Sequence, residues 1–141
     1  MILRRIGAVV LGLVIAVAIV QIAELGVHVM YPPPPGANMH DMKVIKAYVA
    51  AMPTAPMLLV LGGWLVGTLL GTWTAAKLGR SAIPAYIVGA VLLCGGIANS
   101  FLIPQAIWFS IASLVIYIGG TLIAVRLAVP PPAAAPAPPP A

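Results

Sequence analysis

The chain has 141 residues, of which 62% are hydrophobic and 6% charged, with a formal net charge of +5 and a mean hydropathy of +1.14. A soluble domain carries roughly 25% charged residues, so this composition excludes a globule with a polar surface. It also argues against a nucleic-acid partner, because the basic residues sit at the ends of apolar segments and form no patch with interleaved aromatics.

Arg4 and Arg5 precede the first apolar stretch, which runs from about 6 to 29 and is interrupted by Gln21, Glu24 and His28. About 20 apolar residues suffice to cross the hydrocarbon core, so this is the first predicted span. A signal peptide is the rival reading, since Ala16-Val17-Ala18 has the small-x-small form of a cleavage site. Apolar character continues through Ile19-Val20-Gln21-Ile22-Ala23, which favours a retained helix.

Glu24 is the only acidic residue in or near the apolar stretches. An ionisable group in a membrane is costly and marks a functional-site candidate. Gln21 and His28 stand three and four residues away, on the same helical face. At about 1.5 Å per residue, Glu24 falls roughly 28 Å from Arg5, near the far edge of a ~30 Å core.

Tyr31 to Ala55 follows as the only sizeable segment outside the spans. Pro32 to Pro35 predict a stiff polyproline II run that ends in a turn at Gly36 and holds the next element away from the first span. Val44, Ile45, Tyr48, Val49 and Met52 then recur at helical spacing, with Lys43 and Lys46 off that stripe. The expectation is a short amphipathic helix in the first outer loop, capped by Asn38 or Asp41, stopped by Pro53, and lying on the membrane or across the mouth of the bundle as a lid. Met39, His40 and Met42, with His28, are soft-metal ligand types of the kind that suit Cu(I). Their spacing matches no metal motif, so neither a metal nor any other cofactor is expected.

The second span is predicted over 56–76, and Gly63, Gly67, Gly71 and Ala75 repeat within it every fourth residue. This glycine zipper offers a groove for another helix, whether inside the bundle, in a homo-oligomer, or on a larger membrane protein. The third and fourth spans are predicted over 84–102 and 104–129, with Pro56, Pro84 and Pro104 at their starts. The last two must form an antiparallel hairpin, which sets Asn99, Ser100 and Gln105 at the level of Glu24. Cys94 is alone and supports no disulfide or redox motif. Residues 130–141 are Pro and Ala only, and read as a polyproline II tail.

Arg4, Arg5, Lys77, Arg80 and Arg126 fall on one side of this arrangement and only Lys43 and Lys46 on the other, which places both termini in the cytoplasm. Trp73 and Trp108 fit the two interfacial aromatic belts, whereas Trp64 falls mid-span.

Gln21, Glu24, His28, Asn99 and Gln105 thus form a candidate polar cluster. One reading has them hydrogen-bonding across helices to fix register; the other has Glu24 as a protonatable site with His28 as its partner. The small multidrug-resistance exporters are similar in having four short spans and one glutamate in the first. This chain departs from them in its long outer segment, its shallower carboxylate and its Pro-rich tail. No nucleophile with a neighbouring base, paired carboxylates, HExxH or phosphate-binding loop is present, so no enzymatic activity is expected.

The Tyr31–Gly36 run, Gly62-Gly63-Trp64-Leu65-Val66-Gly67, Thr72-Trp73-Thr74-Ala75-Ala76-Lys77, Ile97-Ala98-Asn99, Ile103-Pro104 and Trp108-Phe109 together resemble a pattern in small four-span integral membrane proteins of proteobacteria. The resemblance covers most of residues 1–129. It implies a multi-pass protein of the bacterial inner membrane, and it transfers no site residue, because no activity is assigned to that group. The expectation is therefore an all-α membrane protein, 1–129 a four-helix bundle, acting as an accessory or structural subunit against another membrane protein or itself. The alternative is a small proton-coupled transporter using Glu24 with His28.

Overall fold

The computed structural model describes residues 1–129; the tail expected as a polyproline spacer lies outside the described residues. Five helices follow one another: α1 (Ile2–Met30), α2 (Met42–Ala50), α3 (Thr54–Gly79), α4 (Ala82–Leu102) and α5 (Ile107–Ala128). All but α2 are long and apolar enough to cross a membrane, which is the architecture of a multi-pass helical membrane protein.

The helices outrun the apolar stretches that mark them. α1 begins at Ile2, so Arg4 and Arg5 lie within its first turns, and Arg4 reaches across to donate to the carbonyl of Gly79 at 3.4 Å. That carbonyl belongs to the last residue of α3, where unsatisfied acceptors and the helix dipole favour a cation. α3 is capped by Arg80, whose φ of 49° is the left-handed conformation that usually calls for glycine. Pro56 and Pro84 sit in first turns, where a missing N–H is harmless.

Pro104 does not start a helix. It constrains Ile103 to extended backbone, and α5 begins only at Ile107 after a connector over 103–106. The connector is still short enough to hold α4 and α5 as an antiparallel pair.

α3 is central, touching α1, α4 and α5, while α1 and α5 do not meet. Its small face is filled by α1. A Cβ on Gly67 would lie 2.9 Å from the carbonyl oxygen of Ala16, one on Gly71 would lie 2.6 Å from that of Gly12, and one on Gly63 would collide with Ala23. Ala75 is fully buried in the same seam. Of the three uses open to this face, the bundle's own interior takes it.

The rest of the core is aromatic and small. Trp64 packs edge-on against Phe109 with centroids 5.4 Å apart and stacks on Tyr117 at 5.7 Å. Toward the termini Ala76, Ala85, Val125 and Ala128 close the bundle. Large apolar side chains such as Val14, Ile22, Phe101, Ile111 and Leu127 point outward, as lipid-facing positions require.

Candidate functional site

The segment joining α1 to α3 doubles back. Ala37 N–H donates to the Pro34 carbonyl at 3.0 Å, and Gly36 takes φ +78°, so Pro34 to Ala37 form a turn with proline second and a positive-φ glycine third. The proline run does not hold α2 away. The turn folds α2 back over the end of α1, with its groove against Pro32–Pro35 lined by Val44 and Ala47.

Asp41 starts α2 by accepting from the backbone N–H of Lys43 at 2.9 Å; Asn38 instead accepts from His40 N–H in the preceding turn. Tyr48 donates its hydroxyl to the Tyr31 carbonyl, Tyr31 donates to the Ala51 carbonyl at 3.2 Å, and the two rings lie 5.3 Å apart. Burial beside Tyr31 pushes the Tyr48 phenol above its ordinary pKa. α2 is not packed backbone-close against any long helix, so these tyrosines are its visible attachment.

Ile45, Tyr48, Val49 and Met52 line a cavity of about 350 Å³ at this end of the bundle. Four of the five stripe positions therefore face one space, and Val44 turns to the prolines. Trp64 and Phe109 contribute aromatic wall, and the polar part comes from Glu24, His28, Asn99 and Gln105. Four of the five residues of the expected polar cluster meet at this cavity. Gln21 lies beside it, donating to the Glu24 carboxyl at 3.4 Å and lining a second opening that runs down between α1 and α4.

Among the described residues, the hydrogen bonds of the cluster do not cross between helices. His28 Nδ1 lies 2.8 Å from the backbone carbonyl of Glu24, one turn back on its own helix. Gln105 donates to the Ser100 hydroxyl at 2.9 Å, and Ser100 donates to the Gly96 carbonyl at 3.1 Å. These bonds stay within α1, or within α4 and its connector, so the polar groups do not lock α1 to α4. They face one another across a space.

Met39, Met52 and Met57 also line the cavity. Thioethers repack readily around varied apolar shapes. Met39 and His28 line the same cavity, whereas His40 and Met42 line none of the openings described. Among the described residues, no three His, Cys, Asp or Glu side chains converge as a metal-binding group.

Sequence reasoning missed Trp64 and Met57 as cavity walls. A mid-span tryptophan outside both interfacial belts was the available signal, since a large ring at that depth needs an internal surface to pack on. No family model, curated protein or solved structure matches the chain.

Proposed function

We propose that this is a non-enzymatic protein of the bacterial inner membrane, with both termini in the cytoplasm, that binds a small and largely apolar ligand in the outer cavity around Glu24. The observation that carries the reading is a carboxyl group set in the wall of an apolar cavity, bonded among the described residues only to Gln21 of its own helix and roofed by α2. Ligand sites are concave and mostly apolar, with a few converging polar groups, and this cavity has that composition. The lysine and arginine asymmetry supports the orientation, and the resemblance to proteobacterial four-span proteins supports the location. Glu24 gives the site a proton-linked form for a ligand that bears a positive charge: a carrier that releases it when the carboxylate is protonated.

Thermal unfolding in mild detergent tests the reading, with decanol as a neutral single-chain probe. At about a hundredfold excess over its dissociation constant it adds roughly 2.7 kcal/mol of stability. Val60→Trp, which fills the cavity, abolishes that gain. An equal shift in the filled variant, or no shift in either protein, contradicts the reading.

A second reading, an accessory subunit docked on a larger membrane protein or on a second copy, draws on the glycines that face outward. A Cβ at Gly62, Gly95 or Gly119 would meet nothing within 4 Å. These positions are spread over three helices and form no continuous groove like the one α1 occupies, which makes this the weaker reading.

A further inference from the structure

The cavity under α2 is not closed off from the flank of the bundle. The cleft between α1 and α4, also about 350 Å³, shares Glu24, Trp64 and Asn99 with it, so the two spaces adjoin. The cleft runs down the helices to Leu13, about 16 Å below Glu24 at 1.5 Å per residue. Its rim is formed by exposed positions on both helices, Val17 and Gln21 on one side and Val91 and Gly95 on the other. α1 and α4 meet along far less of their length than α1 and α3 do. In a membrane, such a flank faces acyl chains.

We infer that the cleft and the cavity together form one laterally open site for a single-chain amphiphile with an ammonium head, admitted from the outer leaflet between α1 and α4. The inference rests on the ligand-binding reading above and adds a route and a ligand class.

The chain is accommodated by geometry. The cleft is a narrow apolar slot, and Gly95 leaves open space in its wall where any larger residue would protrude. Gly96, its neighbour, is packed on Tyr117 and could not carry a side chain. The glycine pair therefore divides its work between an open wall and a helix contact.

The head is selected by charge. Glu24 is the only acidic residue on either space, and neither Lys43 nor Lys46 lines them. His28 Nδ1 is held on the Glu24 backbone carbonyl, and among the described residues no lysine or arginine pairs with the carboxyl group. Trp64, Phe109 and Tyr48 line the same space, and an ammonium is attracted to aromatic rings when water is excluded. A head with a carboxylate or phosphate and no ammonium would meet Glu24 with like charge and find no lysine or arginine on either space.

Two sources share this chemistry, a free long-chain amine and a lysophospholipid with an ethanolamine head. Fluorescence quenching of Trp64 tests the inference and separates them. The full chain carrying Trp73→Phe and Trp108→Phe, in lipid nanodiscs and excited selectively at tryptophan, leaves Trp64 as the sole tryptophan, and it lines both spaces. The probes are an alkylamine brominated midway along its chain, the matching alkyl carboxylic acid, and a brominated lyso-phosphatidylethanolamine. Saturable quenching by the amine, about tenfold tighter than by the acid, is expected. Glu24→Gln brings amine and acid together, and Gly95→Phe suppresses quenching by every probe while the melting curve stays intact. Quenching by the lysophospholipid as well admits a membrane lipid as the occupant; quenching by the amine alone supports the free amine.

Equal quenching by amine and acid in the parent overturns the ammonium assignment. Absence of quenching by any brominated chain, with decanol still stabilising the parent but not Val60→Trp, overturns the lateral route and leaves the cavity reading standing. If decanol also fails, both fall together.

Discussion

Gly12 and Gly71 are reciprocal: a Cβ placed on either would stand 2.6 Å from the carbonyl oxygen of the other. Backbones this close admit no side chain, so the seam between α1 and α3 is set by what the glycines lack. Without a hydrophobic drive between helices in lipid, close backbone packing of this kind is what holds them together.

Gly71→Leu and Gly67→Leu should therefore break the bundle rather than any external association. Overpacking costs typically 1–3 kcal/mol, and more where the obstruction is backbone. Size-exclusion profiles and melting in mild detergent should show loss of the folded protein. Gly62→Leu and Gly119→Leu, where nothing lies within 4 Å, should be near neutral in the same assays. Equal damage at all four positions would contradict the assignment of the seam.

Thr68 and Thr72 make a second contrast on α3. Thr72 donates its hydroxyl to the Thr68 carbonyl at 2.5 Å, whereas Thr68 Oγ1 is buried with no partner. An unpartnered buried hydroxyl costs roughly 1–3 kcal/mol. Thr68→Val should raise the melting temperature, and Thr72→Val should lower it by an amount near the ~0.6 kcal/mol typical of a hydrogen bond within a membrane protein. A lower melting temperature for Thr68→Val would mean that the hydroxyl has a partner in the folded protein.

The attachment of α2 can be loosened selectively. Tyr48→Phe removes the hydroxyl that binds the Tyr31 carbonyl, so amide exchange over 42–50 should accelerate while α3 to α5 keep their protection. The pH dependence follows from the raised phenol. The folded state holds the Tyr48 proton more tightly than the unfolded state, so the attachment is intact at neutral pH. It weakens as pH rises past the ordinary tyrosine range of about 10, because ionisation is then favoured in the detached form. Exchange over 42–50 that speeds up at acidic pH instead would contradict this.

Orientation is testable with the single native cysteine removed. In a Cys94→Ser background, Asn38→Cys should react with an impermeant maleimide added outside intact cells, and Ser81→Cys should react only after permeabilisation. The reverse pattern would invert the topology drawn from Arg4, Arg5, Lys77, Arg80 and Arg126.

The spans were legible in the sequence because hydropathy over about 20 residues leaves few alternatives. Their ends were less so, since Arg4 and Lys77 continue helices whose apolar cores stop near Ile6 and Ala76. The amphipathic helix was legible from the spacing of Ile45, Tyr48, Val49 and Met52, but its position over α1 was not. That depends on a turn at Gly36 whose direction no periodicity encodes. For the polar cluster, one face of α1 could be read from Gln21, Glu24 and His28, while its meeting with Asn99 and Gln105 depended on packing. The partner of the α3 zipper was written in Ala8, Gly12 and Ala16, which repeat every four residues along α1 and are all buried. An alanine-rich stripe is easily taken for ordinary helix composition, and it passed unread for that reason.

The claim that the space around Glu24 holds a ligand is tested most directly by native mass spectrometry of the protein drawn from its own membranes in a mild detergent, without overexpression, beside the cavity-filled Val60→Trp. The account predicts a small-molecule adduct on the parent that is absent from the filled variant, and no stoichiometric protein partner. A parent that emerges bare, or bound to a larger protein with its cavity empty, would contradict it.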